Sequence, residues 1–242
     1  MYLLFKSLIA VHILFGTVGL ISFWIPVFSR KGSPAHRLWG RIFARCILVA
    51  GGIAILLSLC TLYAPIETHP HLEDPVFVRG IFGVLMFHLG VLTVNLAWYG
   101  REVLKNKANP GANRRGVTLY LQVLLGLTSV GCVIEGLAIG QPLIVGASVI
   151  GFATAATNLM HMLNPAPPPK AWLREHVKGI VGAGISVYTA FFAFGAVRIM
   201  PEIALHPGLW AIPLTVGLGL ILYNYWKISQ SGSQLGKLAA GE

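Results

Sequence analysis

Eight histidines punctuate an otherwise apolar chain of 242 residues, and two of them stand deep in hydrophobic runs. His12 sits in AVHILFGTVG, residues 10–19, and His88 in GIFGVLMFHLGVL, residues 80–92. A neutral imidazole has one donor and one acceptor to satisfy, and hydrocarbon offers neither. A histidine in such a place serves either a functional ligand or an internal hydrogen bond. Two neutral imidazoles facing each other across a helix bundle are the axial set of a b-type haem. Small residues beside them would admit the porphyrin plane, and His12, Gly16 and Gly19 share one helical face.

Composition dictates the elements that position these residues. The chain is 55% hydrophobic and 11% charged, whereas soluble domains carry about a quarter charged residues. Apolar runs of roughly 20 residues, the length that crosses a bilayer core, recur with short loops between them. They predict an all-α polytopic transmembrane helix bundle, a single domain over 1–242, with about seven spans. These are Leu3–Phe28, Ile42–Ala64, Gly80–Gly100, Val117–Ile139, Pro142–Leu163, Val177–Met200 and Leu209–Ile228. Pro142 suits the first turn of a helix, where its missing N–H costs nothing. The first run is too long for a secretory leader and is expected to be a retained helix.

The net charge of +10 is explained by topology. One set of alternate loops and flanks holds Arg30, Lys31, Arg37, Arg41 and Arg45, then Arg101, Lys105, Lys107, Arg114 and Arg115. It continues with Lys170, Arg174, Lys178, Lys227 and Lys237. Of the 18 basic residues only Lys6, Arg79 and Arg198 fall on the other side. A positive-inside bias of this kind predicts N-out and C-in, in a bacterial inner membrane. It also removes the case for a nucleic-acid partner, since cationic loops at that face meet anionic lipid.

With that orientation, His12 lies roughly 14 Å and His88 roughly 12 Å below the outer surface at 1.5 Å per residue. The two would meet at one level and hold an outer haem or a metal. Thr128, Gly131, Cys132 and Glu135 form a second polar-and-small stripe expected to face inward. At the cytoplasmic side, Thr154, Asn158 and His161 line one helix face. His36, in SRKGSPAHRLWGRIF, and His176, in WLREHVKG, approach the same level. An inner haem would use His161 with either His176 or His36, its propionates pairing with Arg37, Arg41 or Arg174.

Three other readings use the same residues. A proton-coupled carrier would run a titratable path through His12, His88 and Glu135. A zinc hydrolase would group those three around a metal, but no HExxH occurs. An accessory subunit of a membrane complex would use its buried polar groups only to fix helix register. The HxH of THPHLEDP, residues 68–75, reads as a solvated loop. NPAPPP, residues 164–169, reads as a stiff linker. Cys46, Cys60 and Cys132 form no CxxC and read as packing residues.

HxxxG at residues 12–16, followed by HRLWGRIF at 36–43, resembles a bacterial family of polytopic membrane proteins catalogued as a domain of unknown function. The family pattern places a histidine in the first helix, then an HRxxGRxY-type loop, then an HxxWMxRS-like helix entry. EHVKGIVGAGISVYTAFFAFGAVR, residues 175–198, corresponds to the last element, with His176 and Arg198 in place. The Trp-Met pair is absent and Phe43 stands where the pattern has tyrosine. The resemblance implies a multi-helix membrane fold, singles out His12, His36, Arg37 and His176, and implies no activity.

Overall fold

A computed structural model describes residues 2–195 and 207–240 of the chain. The long helices are α1 (Tyr2–Phe28), α2 (Pro34–Tyr63), α5 (Met86–Lys105), α6 (Val117–Ala138), α7 (Pro142–Leu163), α8 (Ala171–Ala190) and α9 (Pro207–Ala240). Two single-turn helices, α3 (Pro65–Thr68) and α4 (Pro75–Val78), join α2 to α5 through a π-helical stretch, Arg79–Leu85. No strand occurs among the described residues.

The helices begin where the chain supplies caps. Ser33 accepts the His36 N–H at 3.2 Å with Pro34 in the first turn of α2. Asp74 accepts the Val76 and Phe77 N–H groups at 2.8 and 3.1 Å ahead of the third apolar run. Both arrangements satisfy donors that a helix cannot pair internally. Gly140, at φ +66°, turns α6 into α7, and Pro142 opens α7 as the sequence predicts.

Five helical segments are long and apolar enough to cross a membrane: Leu3–Phe28, Pro34–Tyr63, Pro75–Lys105, Val117–Ala138 and Pro142–Leu163. They carry bulky apolar side chains on their outer faces, such as Leu127, Ile134 and Leu137 of α6, all more than half exposed. Such faces suit a lipid solvent and would be a liability in water. The third run is longer than Gly80–Gly100, because the π-helical stretch continues without a break into α5. The expected sixth span, Val177–Met200, falls on α8 and a second π-helical stretch, Phe191–Gly195. Its end, with Arg198 and Met200, lies outside the described residues, as does His206. The expected seventh span falls within α9.

Sequential neighbours pack in pairs, α1 on α2, α6 on α7 and α8 on α9, while α5 runs through the middle against α2, α6 and α8. α5 is accordingly the most buried helix: Val91, Leu92, Leu96, Ala97, Tyr99 and Val103 are all buried. The main core joins the first four to Phe23 of α1, Phe43 and Ile47 of α2, Leu125 of α6 and Ala155 of α7, while Tyr99 and Val103 pack with Met162 of α7. α2 stands between α1 and α5. A side chain at Gly19 of α1 would strike Ile47, and one at Gly51 would meet Val94 of α5 at 2.8 Å. By contrast the space beside Gly16 is open, so that expected close approach does not occur.

Phe43 is 1% exposed, and its ring lies 5.2 Å from that of Phe23. Phe43→Ala is expected to lower stability by about 3–5 kcal/mol, the usual result of emptying an aromatic core position. Thermal unfolding in detergent micelles, read as loss of helical circular dichroism, checks this.

Candidate functional site

His88 is fully buried and tied at both ends. Its Nε2 lies 3.2 Å from the Ala147 carbonyl of α7, and its Nδ1 lies 3.0 Å from the Thr128 hydroxyl of α6. A carbonyl only accepts, so Nε2 carries the proton. In the neutral ring Nδ1 then accepts from Thr128, whose hydroxyl otherwise donates to the Leu125 carbonyl at 3.1 Å. Gly151 makes room: a methyl there would collide with the His88 ring and the Ser129 hydroxyl.

His12 makes a separate contact. Its Nδ1–H donates to the Ala50 carbonyl of α2 at 3.0 Å. The expected outer pair is therefore not brought together. His12 closes on α2, His88 closes on α6 and α7, and α2 lies between α1 and α5. Hydrogen bonding within lipid explains both rings, because each has found a main-chain oxygen on a neighbouring helix. Glu135, the third member of the expected path, lies half-buried beside Gly80.

A different pair does converge. A cavity of about 640 Å³ opens among α1, α2, α5, α8 and α9 at the basic end, and both His36 and His176 line it. The His36 Nδ1–H donates to the Pro26 carbonyl at 3.0 Å. The His176 Nδ1–H donates to the Gly100 carbonyl at 2.7 Å. These bonds fix the tautomer, so each neutral ring keeps its Nε2 as a lone-pair donor. A carbonyl partner of this kind is what orients a ligating imidazole and raises its basicity.

Local backbone geometry sets both rings. Pro26 lies in the last turn of α1, where carbonyls lack helical donors. Lys31 caps the same end, donating to the Pro26 and Val27 carbonyls at 2.9 and 2.8 Å. At the other ring, α8 crosses α5 at main-chain contact. A Cβ on Gly179 would meet Gly100 Cα at 2.6 Å and the Leu96 carbonyl at 2.9 Å. That closeness is what lets the His176 ring, one turn earlier on α8, reach the Gly100 oxygen.

The remaining lining is part apolar and part cationic. Phe23, Val27, Leu173, Val177, Ile180 and Leu220 supply the apolar wall. Lys31, Arg37, Lys107, Lys170 and Lys227 supply the charge, and among the described residues no carboxylate lines the cavity. Burial, and then the charge of Lys227, push the Lys31 ammonium below the ordinary lysine range. Lys107 stacks over the Trp172 ring at 5.5 Å. Lys170 enters α8 with a left-handed backbone, φ 62°, a conformation that non-glycine residues adopt at a cost.

Of the residues expected at an inner site, His36, Arg37 and His176 line this cavity. His161 does not: it stands half-buried on α7, where Glu175 and Lys178 supply its nearby charges. Arg41 folds back on the Arg37 carbonyl at 3.2 Å. Arg174 lies over Tyr225 and donates to Ser229 at 2.6 Å. The four lysines and Trp172 were missed as site residues, because in sequence they read only as loop charge and helix entry.

At the opposite end, the HxH loop is less solvated than its composition suggests. The His69 ring packs 4.5 Å from Phe82 and 5.7 Å from Phe5. Among the described residues no group of three or more His, Cys, Asp or Glu side chains could hold a metal ion, and the cysteines are free thiols. Comparisons with protein-family models, curated proteins and solved structures find no match.

Two outcomes follow. Gly151→Ala is expected to destabilise by about 1–3 kcal/mol through overpacking against His88. Gly131→Ala, with nothing within 4 Å of its Cβ, should leave the melting temperature unchanged, and the pair of melting curves checks both. Burial first, then the neighbouring His71, pushes His69 down to about 4. Its folded pKa lies below the unfolded one, so its contribution is intact above about 6.5. It is lost as pH falls toward 4. Stability in detergent should drop across that window, and His69→Gln should flatten the drop.

Proposed function

We propose that this integral membrane protein holds a b-type haem in the basic-end cavity, where the Nε2 atoms of His36 and His176 would ligate it. One observation carries the reading: two imidazoles from different helices line one cavity, each with Nδ1 pinned to a main-chain carbonyl. The cavity's size falls within the range of cofactor pockets. Its apolar wall suits a porphyrin face, and Lys31, Arg37, Lys107, Lys170 and Lys227 suit two propionates. Bound there, the haem would supply one-electron redox chemistry. The chain's own residues would ligate it, neutralise its carboxylates and exclude water from its face. An outer haem on His12 and His88 forms no part of the proposal, since both nitrogens of His88 are bonded, to Thr128 and Ala147.

The topology belongs to the same proposal. Seven spans, N-out and C-in, would put the cavity at the cytoplasmic face of a bacterial inner membrane, where its lysines obey the positive-inside rule. The partial resemblance to the domain of unknown function singles out His36, Arg37 and His176, and this assignment gives those three residues one task.

Purified protein is expected to show a Soret band that shifts on reduction. His36→Ala and His176→Ala should each abolish the low-spin spectrum or reduce haem content more than tenfold. His161→Ala and Arg41→Ala should leave it intact. Gly179→Ala, which drives α8 from α5 and strains the His176 bond, should lower haem occupancy. A colourless protein, unaltered by added haemin, would refute the assignment and leave the accessory-subunit reading in its place.

A further inference from the structure

The centre of the bundle holds a polar cluster that the haem reading does not use. Asn95 of α5, Gln122 of α6 and Asn158 of α7 are each at most 1% exposed. Asn158 Nδ2 donates to Asn95 Oδ1 at 3.2 Å and to Gln122 Oε1 at 3.0 Å. Gln122 Nε2 donates to the Thr118 carbonyl at 3.1 Å. Two atoms are left over: Asn95 Nδ2, a donor, and Asn158 Oδ1, an acceptor, both fully buried and without a partner.

Amide rotation does not remove them. The Thr118 carbonyl accepts only, so it fixes Gln122 Nε2 toward itself and Gln122 Oε1 toward Asn158. That oxygen fixes Asn158 Nδ2, which in turn fixes Asn95 Oδ1. Reversing Asn158 alone would set three oxygens face to face. Reversing Asn95 alone would oppose two NH₂ groups. The hydrogen-bond chain is anchored at a main-chain atom, and its far end always leaves one donor and one acceptor on adjacent amides.

Buried polar atoms in native proteins are paired, and a bound water is the usual partner when protein atoms are not. We infer that a water molecule occupies a fixed site in the α5–α6–α7 core, accepting from Asn95 Nδ2 and donating to Asn158 Oδ1. A single water meets both demands because it donates and accepts at once. A separate set of polar contacts lies between this site and the basic end. The Tyr99 hydroxyl, one turn from Asn95, donates to Glu175 at 2.8 Å. Glu175 pairs with Lys178 at 2.6 Å, and Lys178 donates to the Thr157 hydroxyl beside Asn158 at 3.3 Å. Neither the site nor its test depends on haem.

The full chain in nanodiscs, imaged by cryo-electron microscopy at a resolution that shows ordered water, tests the assignment. Density is expected within hydrogen-bond reach of both Asn95 Nδ2 and Asn158 Oδ1. Magnetisation transfer from water to the Asn95 side-chain amide, read by NMR, is expected in the native protein and lost in Asn158→Leu. A direct Asn95 Nδ2 to Asn158 Oδ1 contact with no density between them, or an amide that receives no transfer, overturns the inference.

Discussion

Four histidines in this protein each give a ring proton to a main-chain carbonyl of another helix. His12 reaches Ala50, His36 reaches Pro26, His88 reaches Ala147 and His176 reaches Gly100. The constraint behind all four is that lipid supplies no hydrogen-bond partner, so every buried polar group must be answered from within. What separates the rings is what remains after that demand is met. His88 has no nitrogen to spare, because Thr128 occupies the second one. His12, His36 and His176 have met the demand with Nδ1, and of these His36 and His176 line a common cavity. Subtraction removes His88, and the shared cavity singles out that pair.

The same constraint shapes the rest of α5. Tyr99, Asn95 and His88 lie along its buried side, and each side chain is answered by α6, α7 or α8. Glycines make this possible where backbones touch. At Gly100 and Gly179 the two main chains meet, trading side-chain volume for a short reach between helices. Small residues thus serve hydrogen bonding as much as packing here.

The helical architecture and the first five apolar segments were legible from hydropathy, because bilayer thickness sets a length that composition reveals. Pro142 announced a helix start for a local steric reason. The pairing of histidines was not legible. Depth along a span places His12 and His88 at one level, yet depth says nothing about azimuth, and α2 intervenes between their helices. For the inner cluster, sequence made His161 a ligand and could not choose its partner between His176 and His36, since all three flank cationic loops. Three-dimensional packing turns His36 to the cavity and leaves His161 on α7 beside Glu175 and Lys178. The lysines of the cavity rim were visible only as topology signals, because one residue type answers two physical demands at the same surface.

The crossing of α5 and α8 at bare backbone has a mechanical consequence. With no side chains between Gly100 and Gly179 to yield, the two helices behave as a clamped joint and not a sliding one. His176 is mounted one turn from the clamp and His36 on a separate strut, the start of α2. Any tilt of α1 and α2 together against the α5–α8 joint would change the gap between the two rings while leaving each ring's own mooring untouched.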